Sequence, residues 1–324
     1  MIRNEPLVSV ILPTYNRAAL LSRAINSVMA QTYPNWELMI WDDGSIDQTA
    51  DLIRAYTESR VRNYFAANHG VSYARNRAVE VTQGEYIAFL DSDDEWSADK
   101  LALQLDMLQK HPQIDVLFAD FWNITQKFNS AQRTFQEYAA GMDYLDKQPI
   151  GEHGYIITSG LSESLAKGNF IATDTIILRR RVVEYAGLFN EQLRNSEDFE
   201  LWWRLALTGL CFGYIDKPLL TRYKLNSNLS SASLQASQNT LKALDLCLQE
   251  AVSKGRSDLV PHLNTPYRNA WQNMILLSGQ AGDRKGAGDA FLQSLKYGFR
   301  PGSVRLLLTA LIQSLKPKQY STLT

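Results

Sequence analysis

Hydrophobic and polar positions follow one another in two rhythms along the N-terminal part of this chain. Leu7, Val8, Val10, Ile11 and Leu12 make a β-rich apolar run that Pro13 closes. Leu20, Leu21, Ala24, Ile25, Val28 and Met29 then recur at the spacing of one helix face. The exchange repeats. A strand at 36–41 is closed by Asp42, Asp43, Gly44 and Ser45, and a helix around 47–58, a strand near 61–66, a helix near 71–82 and a strand at 85–90 follow. Strand and helix in alternation predict an α/β domain with a mainly parallel sheet and helices on both faces.

A helix at 98–110 comes next, and after 112 the rhythm loosens. Residues 126–168 are polar and contain several glycines, predicting irregular loops with one or two strands. Regularity returns in a strand at 173–178 and a helix at 197–208. From about 234 the pattern is purely helical. Within it Ala270 to Gln280, the turn Gly282-Asp283, and Ala287 to Tyr297 resemble a helix–turn–helix pair of tetratricopeptide type. One such unit cannot stand alone, so it is expected to pack on the preceding domain. The predicted boundaries are 1–230 for the α/β domain and 231–324 for the helical extension.

Open α/β sheets bind ligands at the carboxyl ends of their strands. Thr14-Tyr15-Asn16, Asp42-Asp43 and Asp91 to Asp94 each stand just after a predicted strand, so they should share one rim. The last group is the most pointed. Tyr86, Ile87, Phe89 and Leu90 read as a strand buried on both faces, and Asp91, Asp93, Asp94 and Glu95 then put four acids within five residues. Such carboxylates repel unless a positive charge sits among them, and a hard divalent cation with oxygen ligands answers that need. Roughly one Asp-x-Asp arises by chance in a chain of this length, so the context carries the inference.

Composition excludes more than it proposes. The 324 residues are 45% hydrophobic and 21% charged, with a net charge of −1, which offers nucleic acid no basic surface in bulk. Two cysteines, Cys211 and Cys247, are too few for a disulfide framework. No apolar run approaches the ~20 residues of a membrane span, and the first strand begins too early for a signal peptide. The expected location is cytoplasmic. One segment qualifies this. Leu306, Leu307, Leu308, Leu311, Ile312 and Leu315 are edged by Arg300, Arg305, Lys316 and Lys318, so residues 300–318 could make a peripheral contact with the inner face of a membrane or pack as a terminal helix on the catalytic domain.

The motifs now combine. Val8 to Arg17, Asp42 to Asp47, Gly70 to Asn76, Gly84 to Asp94 and Ser196 to Trp202 stand in the order and spacing of family 2 glycosyltransferases, which the chain resembles over roughly residues 7–230. The resemblance implies a Rossmann-like GT-A fold, a nucleotide-diphosphate sugar donor with UDP as the default, an acceptor hydroxyl on a glycan or lipid-linked molecule, and inversion at the anomeric carbon. It assigns the donor nucleotide to Pro13, Thr14, Tyr15, Asn16, Asp43, Arg75, Asp91 and Ser92, with Asp43 accepting from the base. Asp42 or Asp43 could instead cap the helix near Asp47, and Arg75 could be an internal partner of the acids. Mn²⁺ or Mg²⁺ would be held by Asp93, with Asp91 indirect and Asp94 as competitor, or the acids could be a solvated turn.

Asp198 is the implied general base and Glu197 its rival, while Ser196 with both acids also suits a helix N-terminus. Trp202 could offer an aromatic face to the acceptor, although packing in the core suits at least one of Trp202 and Trp203. The family often carries an Arg and a His in a Tyr-Arg-x-His-like stretch after the base helix. Here Arg222 to Ser230 has Lys224, which keeps a charge without the Arg fork, and Asn226, which cannot replace an imidazole. A nucleotidyltransferase would need a Gly-rich basic loop after the first strand, where this chain has Pro13 to Arg17. An inactive scaffold that binds partners through its helical tail is the other reading, and the complete set Asp43, Asp91, Asp93 and Asp198 argues against it.

Overall fold

In the computed structural model, which describes residues 5–125, 130–137, 139–224 and 233–314, the predicted alternation takes shape. It runs β1 (Val8–Thr14), α1 (Leu21–Met29), β2 (Trp36–Asp42), α2 (Thr49–Arg54), β3 (Val61–Phe65), α3 (Val71–Glu80) and β4 (Tyr86–Phe89). β5 (Glu95–Trp96), α4 (Lys100–Lys110), β6 (Val116–Thr125) and β7 (Ser130–Arg133) follow. Then come α5 (Thr134–Glu137), α6 (Ala139–Met142), β8 (Asp146–Ile150), β9 (Gly154–Ser159) and α7 (Leu161–Leu165). A 3-10 turn (Thr173–Thr175), β10 (Ile177–Arg179), α8 (Arg180–Ala186), α9 (Glu197–Ala206) and β11 (Phe212–Lys224) complete the α/β part. The helices α10 (Leu234–Ser253), α11 (Val260–Ala281), α12 (Arg284–Leu295) and α13 (Pro301–Gln313) end it.

The strands order as β3-β2-β1-β4-β10-β6-β11-β9-β8 in one sheet. β1 runs parallel to β2 and β4, and β2 to β3. β10 is antiparallel to both neighbours, while β6 and β11 are parallel. This is a mixed α/β sheet, parallel through β3, β2, β1 and β4, with helices following it. Every residue of β1 is buried, as expected for a central strand covered on both faces. One face of β1 joins Val8, Val10 and Leu12 to Leu21, Ala24, Ile25 and Val28 of α1 and to Leu101, Leu105 and Leu108 of α4. That layer fixes the height at which the strand ends emerge.

Several expectations are corrected. The expected strand at 173–178 is a 3-10 turn followed by a strand that begins at Ile177. Residues 116–125 and 212–224 are the long strands β6 and β11, which periodicity does not announce. β6 carries the fully buried Asp120, which is neutralised by Arg133 at 2.7 Å, and β11 contains Lys217-Pro218, where its register against β6 shifts. Both interrupt an apolar rhythm. Within 126–168 the described residues hold the antiparallel pair β8 and β9 together with short helices.

By its internal contacts the chain divides into two compact units, Met1–Asn226 and Ser227–Thr324. In the second, Ile275, Ala287, Ala290 and Ala310 form a small core with Trp271, Phe291, Leu306 and Leu307 packed against it. A Cβ on Gly279 would stand 2.4 Å from Ala310, so α11 and α13 touch through a position that needs glycine. Among the described residues no helix is long and apolar enough to cross a membrane.

Candidate active site

Register brings the strand ends together. Thr14 pairs with Asp42 and Ile11 with Phe89, so β1, β2 and β4 deliver their following loops to one rim. The first two loops are tied to each other. The Asn16 amide donates to Ser45 Oγ (2.8 Å), and Asn16 Oδ1 accepts from the Ile46 amide (2.8 Å). Asn16 holds a left-handed φ of 51° to do this, a cost that persists where surrounding bonds over-determine it. Asp42 Oδ1 accepts from the Ser45 amide at 2.8 Å. Neither Asp42 nor Asp43 caps α2, and Asp47 takes the Thr49 amide instead.

Asp43 is buried and receives two amides of the loop before α3, His69 on Oδ1 (2.9 Å) and Gly70 on Oδ2 (2.7 Å). Each oxygen keeps a further lone pair, so a nucleobase N–H is not shut out. Gly70 has φ 96°, and a Cβ there would run into the Arg194 guanidinium. Pro13 and Thr14 are buried in β1, whereas Tyr15 is 45% exposed beside them.

The acidic turn sorts its own carboxylates. Asp91 Oδ1 accepts from Arg75 Nη2 at 2.6 Å, and Arg75 Nη1 reaches Glu197 Oε1 at 2.8 Å. Arg75 is only 3% exposed. It is therefore an internal partner of acids from two distant motifs. Ser92 is buried in the turn. Asp94 faces inward, with Oδ1 accepting the Tyr223 amide (3.0 Å), and burial pushes its carboxyl up to about 7 although a shared hydrogen bond with Asp174 pulls it down. Asp94 is thus held among protein partners, 3% exposed. Burial, with Asp91 nearby, also raises Asp93, against the cations Arg17 and Arg222.

Ser196 precedes α9 at φ 61°, and its side chain makes no capping bond. Asp198 Oδ1 accepts the Phe199 amide (2.7 Å) and Oδ2 accepts Asn169 Nδ2 (3.0 Å). Burial raises its pKa above the ordinary carboxylate range, partly offset by the Phe199 amide, Arg75, Arg222 and Asn169. Glu197, the rival base, is committed to Arg75. Trp202 is fully buried with its ring edge against Phe189 at 6.3 Å, and Trp203 is equally buried. Neither offers a face to an acceptor, which corrects the reading of Trp202.

Three neighbours escape sequence reasoning. Asp174 lies beneath the acidic turn, with Oδ1 accepting the Asp91 amide at 2.8 Å. Arg222 is the cation that faces the acids. Burial opposes its charge, and Asp94, Asp174, Asp198 and Asp91 together more than restore it. The Lys224 side chain and Asn226 lie outside the described residues. Lys100 is fully buried over the Trp96 ring (4.1 Å) with Nζ on Gln104 Oε1 (2.7 Å), and burial pushes its amine down to about 7 against the pull of Asp174. The acid in Thr173-Asp174-Thr175, set before an apolar strand, was the one local signal available.

Among the described residues no three His, Cys, Asp or Glu side chains form a metal cage. The donors present are Asp93, with Arg17 and Arg222 as the nearby cations, and Asp91, 33% exposed with Arg75 on one oxygen. That set suits a hard cation that completes its shell with substrate oxygens and water.

Comparison with known proteins agrees with the geometry. The family described as Glycosyl transferase family 2 matches residues 9–184. TuaG of Bacillus subtilis, a glycosyltransferase named for teichuronic acid biosynthesis, is 30% identical over 240 residues, 73% of this chain and 86% of that protein. WfgD of Escherichia coli, named as a UDP-Glc:α-D-GlcNAc-diphosphoundecaprenol β-1,3-glucosyltransferase, is 44% identical over 111 residues, 33% of this chain and 43% of that protein. Among solved structures, S. aureus TarS 1–349 in complex with UDP aligns at TM-score 0.62 and 18% identity, over 95% of this chain and 87% of that one. The Pyrobaculum calidifontis mannosyltransferase PcManGT in complex with GDP-Man and Mn²⁺ aligns at 0.59 and 18%, over 97% and 82%. At such identity these two speak for the fold.

Proposed function

This chain belongs to glycosyl transferase family 2 and is a glycosyltransferase; from that premise we propose that it moves a sugar from a UDP-sugar to an acceptor hydroxyl with inversion, in the synthesis of a cell-surface glycan. One observation carries the reading. The ion pairs Asp91–Arg75–Glu197 bind the donor-side turn to the first turn of α9, where Asp198 stands. Donor loops and base are thereby held as one rim. TuaG is named for teichuronic acid biosynthesis and WfgD for a UDP-Glc donor and a diphosphoundecaprenol-linked acceptor, which supports the donor and product class.

The residues divide the work. Tyr15, Thr14 and Asp43 line the nucleotide end. Arg222 faces the diphosphate with a charge that does not titrate in the working range. Asp93, with Asp91, would hold Mn²⁺ or Mg²⁺, which when bound offsets the negative charge of the departing nucleoside diphosphate. Asp198 takes the acceptor hydroxyl proton as that oxygen attacks the anomeric carbon from the face opposite the leaving group. Its partners Asn169 and the Phe199 amide fix its direction.

A lipid-linked acceptor is favoured by the name of WfgD and by α13, whose exposed arc carries Val304, Leu308 and Ile312 beside Arg305. Such an arc suits peripheral contact at the inner face of a membrane. The test is donor turnover with Mn²⁺. UDP-sugar hydrolysis or transfer should be lost, by 100-fold or more, in Asp93→Ala. Unchanged turnover in that variant would end the metal assignment, and the lack of any turnover with nucleotide sugars would favour the inactive scaffold.

A further inference from the structure

The turn that carries Asp91 and Asp93 leaves the sheet at once. The last ladder bond of β4 is that of the Leu90 amide to the Ile11 carbonyl, and the chain rejoins the sheet only at β5, where Glu95 and Trp96 pair with β11. A turn with four acids in five residues should spring open by its own repulsion. Its position is nevertheless defined, and one residue 83 positions away touches it at both ends. Asp174 Oδ1 accepts the Asp91 amide at 2.8 Å, and the Asp174 carbonyl accepts Trp96 Nε1 at 2.9 Å. Its carboxyl also shares a hydrogen bond with that of Asp94.

Asp174 is itself rigidly placed. It sits in the middle of the 3-10 turn, whose Thr175 amide and hydroxyl both return to the Ala172 carbonyl (3.0 and 2.7 Å). Gln104 of α4 donates to the Thr175 carbonyl at 2.8 Å, and the same Gln104 receives Lys100, whose amine covers Trp96. The support therefore runs from the helix layer through Asp174 to both ends of the acidic turn. A fully buried carboxyl with two such bonds is expensive to keep unless it does something that an apolar residue could not.

We infer that Asp174 is a positioning residue, a clamp that sets the height and direction of the acidic turn so that Asp94 is drawn inward while Asp91 and Asp93 are presented at the rim. The functional part of this rests on the donor-binding reading above; the mechanical part does not. The chemistry also says which substitute should serve. An amide presents an oxygen to the Asp91 N–H and an NH₂ to the Asp94 carboxylate, the same two bonds in the same two places.

The experiment measures backbone amide exchange of the peptide over residues 88–97 in the full chain, alongside UDP binding with Mn²⁺ by calorimetry. Asp174→Ala should speed exchange in this peptide by about 10-fold or more and weaken UDP binding by about 10-fold. Asp174→Asn should recover exchange protection to within about threefold of wild type. Trp96→Phe, which removes only the second grip, should loosen the 95–97 end and keeps the test available if Asp174→Ala folds poorly. Wild-type exchange in Asp174→Ala, or Asp174→Asn as fast as Asp174→Ala, would overturn the clamp. If the wild type itself binds neither UDP nor GDP, the donor reading falls, and the exchange comparison still decides the clamp.

Discussion

Asp198 illustrates how single contacts set chemistry. Its carboxylate lies in a buried place that favours the neutral acid, and the Asn169 amide works against that burial. A general base acts only when deprotonated, so the rate should rise with pH through a pKa above the ordinary carboxylate range. Removing a donor to the charged form raises that pKa further. Asn169→Ala should therefore move the acid limb of the kcat profile to higher pH, while the plateau falls less. Asp198→Asn should lower kcat by about 10²–10⁴ with donor affinity kept, as read by initial rates and calorimetry. A profile unmoved in Asn169→Ala would mean that the titrating group lies elsewhere.

At the scale of elements, the loop that leads into α3 joins two motifs that look unrelated in sequence. Gly70 adopts φ 96° so that its amide and that of His69 can both turn onto Asp43. Gly70→Ala should destabilise the fold by about 1–3 kcal/mol, visible as a lowered Tm, since the new Cβ meets both backbone strain and the Arg194 guanidinium. The strands β1, β2 and β4 were legible because burial on two faces writes an apolar run. β6 was not, because Asp120 in its centre is satisfied by Arg133 from β7, a partner that no local window contains. The 3-10 turn at 173–175 was hidden for a similar reason. Its threonines suit a strand, and only the bonds to Gln104 and Asp91 make a turn the better use of them.

For the whole molecule, charge is divided more unevenly than the net value of −1 suggests. Residues 227–324 carry eleven Lys and Arg against five Asp and Glu, so they are at +6 and the remainder at −7. On α13 the exposed arc is apolar, with Leu308 56% and Ile312 60% exposed, while Leu306, Leu307 and Ala310 face the helical core. The inner face of α13 thus belongs to the core of the helical unit itself, and the exposed arc is the part a membrane could meet. Flotation with vesicles containing anionic lipid should carry the full chain upward at low salt and less at high salt. The double variant Leu308→Asp and Ile312→Asp should float several-fold less. Equal flotation, or self-association of the wild type in place of flotation, would remove the membrane reading.

The order of strands and helices through β4, the three motifs that share a rim, and the identity of Asp43, Asp93 and Asp198 as candidates were all contained in the sequence. Periodicity reports which face of a segment is buried, and the residues at a strand's end travel with it. Tertiary structure alone decided how the charges pair. It turned Arg75 inward between Asp91 and Glu197, put Arg222 among the acids, withdrew Asp94 and Trp202 from the rim, and set Asp174 under the turn. Whether a carboxylate binds a ligand or holds a loop depends on which distant donor lies within about 3 Å, and that distance is fixed by the packing of segments as much as 129 residues apart.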